Sequence, residues 1–319
     1  MRAEPLNCEV RLPRLVEGDL TPNERFYIRS HFPVPVVDPD TWRLRVRGRV
    51  RKELSLPLRE VRRMPEVARP VTLECAGNGR SFFQPAIEGE QWALGAVSTA
   101  GWNGVSLAAV LGQAGVVAEG RHLIFRGAEG FERGLSLDEA RDTLLVHGMN
   151  GAPLPVEHGF PLRAIVPGWY AVASVKWLNE IEVTDAPFAG YFQAQRYVYG
   201  EGKPVTQQRV RSLIIDPEDG ARVGAGRLVI RGLAWSGSAT VTRIEVRVGD
   251  GQWHAAEAAA SERFAWRPWR YAASVAETGA TTLRSRATDE TGATQPEQAE
   301  WNRLGYGNNS IQTVTVEVG

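Results

Sequence analysis

Short runs of alternating or β-branched residues, closed by Gly, Pro or Asp, recur along this chain, while helical periodicity is rare and brief. This balance commits most of the backbone to strands and loops. Trp42 to Val50 alternates apolar and charged side chains, the period of a strand with one wet face. Ser106 to Ala114, opened by a capping serine and closed by Gly115, predicts a short helix, and so does Ser136 to Leu145. From about Ser212 onward, Arg227 to Arg231, Val241 to Val248, Thr282 to Thr288 and Ile311 to Val318 predict short strands between Gly and Asp turns, the spacing of a β-sandwich. Trp235, Trp253, Trp266 and Trp269 fall there and are expected as core or interface anchors. The polar segment Gly200 to Arg211 is the expected joint, giving domains over residues 1–204 and 205–319.

Lys plus Arg and Asp plus Glu both number 37, so no net charge draws the chain to nucleic acid or an anionic membrane, and any positive site must be local. No stretch approaches the roughly 18 uninterrupted apolar residues that cross a bilayer. Met1 to Val10 is short, polar and interrupted by Pro5, without the pattern of a leader; the expectation is a cytoplasmic protein, or a periplasmic one if a leader has been removed. Cys8 and Cys75 are the only cysteines, too few for a disulfide framework or a structural zinc site. A lone cysteine is ordinarily an inert buried hydrophobe, and Cys8 keeps that reading.

Cys75 does not. Val71 to Arg80 reads as a strand ending in the cysteine, followed at once by Gly77, Gly79 and Arg80. Small residues admit a bulky ligand close to the backbone, and Arg80 supplies positive charge expected to favour the thiolate, a soft metal ligand. Further on, His158, Arg163, Ser174 and Lys176 flank a strand over Leu162 to Val166 and the Pro167-Gly168 turn, where together they form an anion-binding set suited to a phosphate. No Walker loop or dinucleotide fingerprint accompanies them, so a different phosphate-bearing cofactor is expected.

Phe26 to Pro35, the Glu74-Cys75-Ala76-Gly77-Asn78 turn, Met149 to Pro155, His158 to Arg163 and Ser174 to Leu178 together resemble, in order and spacing, the molybdopterin domain of the sulfite oxidase family. Trp92 with Gly95 to Ala100 extends the likeness, and the segment ending in Gln295-Pro296 and Trp301-Asn302 looks like that family's immunoglobulin-like dimerisation domain. The resemblance implies an α+β fold in which a β-rich molybdopterin-binding domain precedes an immunoglobulin-like β-sandwich, and a homodimer. It implies a molybdenum–molybdopterin cofactor with Cys75 as protein ligand to the metal. It gives cofactor contacts to Tyr27, Arg29, His31, Glu129, His158, Arg163, Ser174, Val175 and Lys176, and a substrate pocket to Arg29, Arg80, Trp92 and Tyr197.

The implied reaction is two-electron oxidation of sulfite, a small oxyanion, to sulfate. No Cys-x-x-Cys-His haem motif occurs, so no haem is expected in this chain and electrons would pass to an external cytochrome or dioxygen. Two positions depart from the family pattern. Glu129 stands where an aspartate is usual, and Leu304 stands where animal and plant sulfite oxidases carry an arginine of the anion pocket, with Arg303 beside it. That loss keeps a second substrate class open, such as a sulfoxide; a cofactor-free binding protein is a third reading, against which Cys75 and the His158 to Lys176 set argue.

Overall fold

A computed structural model describes residues 5–319; Met1 to Glu4, part of the N-terminal stretch read as leaderless, lie outside the described residues. Strand dominates. The α-helices are one turn at Leu58–Val61 and Leu107–Ala114, the latter capped as its sequence predicts: Ser106 Oγ accepts from Ala109 N at 3.2 Å, and Gly115 closes it at φ +68°.

The N-terminal part holds two five-stranded sheets, one wholly antiparallel and one mixed. In one, Glu66–Glu74, Val97–Ser106 and Leu144–Met149 pair antiparallel, with Arg163–Ile165 added to the last. In the other, Arg43–Gly48 lies between Leu54–Pro57 and Leu178–Thr184, followed by His122–Gly127 and Glu132–Ser136. Leu44 and Val46 are fully buried while Arg45 is exposed, the period-two pattern of Trp42 to Val50 in space. From Arg211 on, a four-stranded and a five-stranded sheet build the sandwich, with Val241–Val248 observed as predicted, Gly226–Trp235 and Gly279–Asp289 longer than their sequence cores, and the last strand, Thr313–Val318, shorter than expected.

One sequence expectation fails. Ser136 to Leu145 is not a helix: Ser136 and Glu139 form a capping box (Glu139 N to Ser136 Oγ 3.2 Å, Ser136 N to Glu139 Oε2 2.7 Å), but only a turn follows. Leu144 and Leu145 are both buried and adjacent, which a strand between layers satisfies and one helix face does not. The segment Gly200 to Arg211, read as the joint, is tied into the fold. Val205, Gln208 and Arg211 are buried, and the Gln208 amide donates to Thr72 O at 2.9 Å and Trp169 O at 3.0 Å, tying this segment to the strand that leads to Cys75. Trp235 and Trp266 pack with Leu15 and Val97 as interface anchors; Trp269 joins the sandwich core, and Trp253 is half-buried against Arg247 and Arg286.

Candidate active site

Strand Glu66–Glu74 delivers Cys75 to a tight turn in which Asn78 N bonds Cys75 O at 2.9 Å and Gly79 adopts φ +84°. The thiol is buried at the junction of two cavities. The inner one is lined by Tyr27, Arg29, His31, Cys75, Glu129, His158, Arg163, Ser174, Val175, Lys176 and Tyr197. The outer one shares Arg29, Cys75 and Tyr197 and adds Arg80, Trp92, Arg303 and Tyr306. Thus the residues expected around a cofactor and those expected around a substrate lie in two spaces that meet at the sulfur.

The inner cavity is a cationic enclosure. Lys176 Nζ, fully enclosed, donates to Ser30 Oγ at 2.8 Å and Glu157 O at 3.0 Å and sits 4.3 Å over the Trp177 ring. Arg163 donates to His158 O at 3.2 Å, and its Nε has no partner. His158 Nε2 lies 3.2 Å from Asn23 O, an acceptor only, so this nitrogen carries the proton. Ser174 Oγ accepts from Val166 N at 3.0 Å and keeps its own proton to donate. Among the described residues no carboxylate forms a salt bridge with Arg29, Arg80, Arg163 or Lys176. Glu129, the nearest acid, has an unpartnered Oε2, and burial pushes its carboxyl up to about 7.

Burial also drives the cations toward neutrality: Arg163 falls to about 10, Lys176 lies well below its ordinary value, and His158, with Arg163 adding to burial, falls to about 3. Buried cations without counter-charges are costly, and a bound anion with several oxygens removes that cost. The donor set therefore fits a phosphate-bearing group. No cluster of three or more His, Cys, Asp or Glu able to hold a metal exists among the described residues, so a metal at Cys75 must bring most of its ligands with it.

The outer cavity centres on Arg80. Its guanidinium is 5.1 Å from the Tyr306 ring, with Nη1 on Glu90 O at 2.8 Å and Nε on Leu304 O at 3.2 Å. Gly77, Gly89 and Gly305 enclose it: a Cβ at these positions would lie 2.7, 3.2 and 2.9 Å from Arg80 side-chain atoms. Tyr197 stacks on Tyr306 at 5.0 Å and its hydroxyl is 2.7 Å from His31 Nε2. Arg29 bonds Asn7 Oδ1 at 3.3 Å and the carbonyl of Ser30. Trp92 Nε1 is buried without a partner, a donor left over for a ligand.

Arg80 favours the Cys75 thiolate, as its sequence position predicts, but it is one of the smaller influences on the thiol. Burial raises the thiol; Arg29, then a bond from the Gly77 backbone, then Arg80 oppose it without overcoming it. A lone thiol at this depth stays protonated until something more strongly charged approaches. Sequence reasoning missed Tyr306, Ser30 and Asn7. Ser30 lies inside the Phe26 to Pro35 motif but has no charge or ring to mark it, Asn7 and Tyr306 lie in no motif, and a tyrosine in a polar C-terminal loop gives no local signal of the arginine it stacks on.

Comparison with known proteins accords with this arrangement. Residues 31–192 match the family described as the oxidoreductase molybdopterin binding domain, and residues 203–319 the Mo-co oxidoreductase dimerisation domain. Mitochondrial sulfite oxidase of Mus musculus is 35% identical over 98% of this chain, which spans 64% of that protein's length. Sulfite oxidase of Gallus gallus is 34% identical, covering 95% of this chain and 74% of that one, and a nitrate reductase of Hordeum vulgare is 32% identical across 98% of this chain and 41% of its own. Among solved structures, the sulfane dehydrogenase SoxCD from Paracoccus pantotrophus superposes with a TM-score of 0.87 at 29% identity over 96% of this chain and 83% of that one. The chain belongs to the sulfite oxidase family of molybdopterin-binding oxidoreductases.

Proposed function

We propose that this chain oxidises sulfite to sulfate at a molybdenum atom bound to Cys75, passing two electrons to an external acceptor. The observation that carries the reading is the junction of the two cavities at one thiol, one lined by cations without carboxylate partners and the other open around Arg29, Arg80 and Tyr197. Arg163, Lys176, Ser174 and His158 would hold the phosphate of molybdopterin, with Tyr27, His31, Val175 and Glu129 along the pterin. Bound there, the group supplies two-electron redox chemistry and the metal's remaining ligands.

The chain's own residues gather and orient the substrate. Arg29 and Arg80 present planar donor forks to the oxyanion, a match that a tetrahedral or pyramidal oxyanion meets with several oxygens. Tyr197 donates to one further oxygen, and buried Trp92 and Tyr306 keep bulk water away from the sulfur. Sulfite plus water gives sulfate, two protons and two electrons; a separate cytochrome would take the electrons in a periplasm, dioxygen or a soluble carrier in the cytoplasm. The dimerisation domain makes a homodimer the working assembly.

A second reading has its own observation. Leu304 offers the cavity only a backbone carbonyl, already bonded to Arg80, and Arg303 lines the cavity from an exposed position, so position 304 itself supplies no guanidinium. A less charged substrate such as a sulfoxide fits that loss of charge. Elemental analysis for molybdenum, followed by sulfite-dependent reduction of an artificial acceptor, separates the readings. Near-stoichiometric metal with turnover supports sulfite, metal without it supports the second substrate class, and absence of metal after expression in a cofactor-competent host overturns both.

A further inference from the structure

The turn that carries Cys75 is held from the C-terminal sandwich. Glu74, next to the cysteine and 1% exposed, accepts from Arg211 Nη1 at 2.7 Å and Asn78 Nδ2 at 3.0 Å on one oxygen, and from Trp235 Nε1 at 2.9 Å on the other. Arg211 and Trp235 are each 2% exposed and face each other across the paired strands Arg211–Asp216 and Gly226–Trp235. Gly307 N reaches Ala76 O at 2.8 Å, and Asn308 Nδ2 reaches Gly79 O at 2.8 Å. From the N-terminal part the turn is held by backbone pairing: Glu74 opposite Val97 in the ladder, Cys75 N to Ala96 O at 2.9 Å, Gly79 N to Ala93 O at 2.6 Å, and Ala96 N to Asn78 Oδ1 at 3.2 Å.

A buried carboxylate bonded on both oxygens has one rotamer and one position, and the residue after it on a tight turn inherits that position. We propose that Arg211 and Trp235 are positioning residues for the Cys75 thiolate, so that the domain matched as a dimerisation module is also a structural part of the metal site. The inference rests on Cys75 being the metal's protein ligand. It assigns the sandwich a role that subunit association alone does not require: the sulfur stays aimed at the cavity junction only while both partners of Glu74 are in place.

The test uses full-length protein in two forms. In the cofactor-loaded enzyme, the absorption band of the cysteine-to-metal bond is recorded for wild type, Arg211→Met, Arg211→Lys, Trp235→Phe and a control, Ser285→Ala, which breaks a buried 2.9 Å bond to Ser212 without touching the turn. In cofactor-free protein, the limiting alkaline rate of Cys75 alkylation is measured against Cys8 as internal reference. Arg211→Met should shift the band, lower kcat with little change in KM, and raise Cys75 alkylation about tenfold as the turn loosens. Arg211→Lys should recover part of each, and Trp235→Phe, which keeps the ring and loses one bond, should move them in the same direction by less. Ser285→Ala should move none. If folded Arg211 and Trp235 variants keep wild-type band and alkylation rate, or Ser285→Ala changes both equally, the inference is overturned. A band that survives in Cys75→Ser refutes the ligand assignment instead, while the alkylation rates still decide whether the sandwich positions the thiol.

Discussion

The Nε2 atom of His31 lies 2.7 Å from the hydroxyl of Tyr197, and the two residues come from opposite ends of the N-terminal domain. His31 stacks on Phe131 at 4.6 Å and meets Phe192 edge-on at 4.7 Å, so its ring has little freedom. Burial, then Arg29, Lys176 and Arg196, hold its pKa well below the ordinary value, leaving the ring neutral; with its proton on Nε2 it donates to the phenolic oxygen, and the single phenolic proton stays available for the substrate. Tyr197→Phe and His31→Phe should each lower kcat/KM for sulfite about tenfold, the size of one hydrogen bond. Because they share that bond, the double variant should lose little more than either alone. Additive losses in a double-mutant cycle would show that the residues act separately.

His158 predicts an acid limb in the stability of the cofactor-free chain. Its folded pKa, about 3, lies below the ordinary 6.5 because of burial and Arg163. The unfolded chain therefore binds the proton first, and stability present above pH 6.5 is lost as pH falls toward 3. The loss should reach about 2 kcal/mol by pH 5 relative to neutral pH. His158→Gln preserves a donor for Asn23 O and has nothing to titrate, so its denaturant midpoint should be flatter over this range. An equally steep limb in that variant would assign it to other groups.

What was readable in the sequence is what is local. Cys75 to Arg80 and His158 to Lys176 announce themselves because the residues share a turn or a strand pair, and the fold brings those segments to one cavity. Glu74 and Arg211 are 137 residues apart, and Arg80 and Leu304 are 224 apart. No periodicity connects such partners, so the link between the sandwich and the cysteine turn appears only in three dimensions. Ser136 to Leu145 misled for the opposite reason: its capping box is real, yet the sheet claims Leu144 and Leu145. Arg80 lowers the Cys75 thiol as read from the sequence, but burial depth, which decides the balance, is not a property of neighbouring residues.

Glu129 predicts a limb of opposite sign. Its carboxyl is raised by burial from 4.5 to about 7, so the folded cofactor-free chain holds a proton that the unfolded chain releases earlier. Stability is highest below pH 4.5 for this group and falls as pH rises through 7, by up to about 3 kcal/mol. Glu129→Gln should therefore melt higher than wild type above pH 7 and similarly near pH 4.5. A phosphate-bearing ligand should also bind the variant more tightly at high pH, since one negative charge is gone from its enclosure. Equal melting curves at pH 8 would count against a strained Glu129.

Gly305 provides a way to displace Arg80 without mutating it. The residue adopts φ +64°, and a Cβ there would stand 2.9 Å from both Cγ and Nε of Arg80. Gly292 adopts φ +85° with nothing within 4 Å of its would-be Cβ, so alanine there incurs only the backbone strain of the left-handed region. Both alanine variants should lower the melting temperature. Gly305→Ala alone should raise KM for sulfite, by about tenfold, because the guanidinium loses its bond to Leu304 O and its place over Tyr306. Arg80→Lys should show the same KM rise, since an ammonium cannot reproduce the planar fork. Steady-state kinetics on the three variants decide the matter: if Gly305→Ala and Gly292→Ala both keep wild-type KM, Arg80 is held by its surroundings for structure and does not meet the substrate.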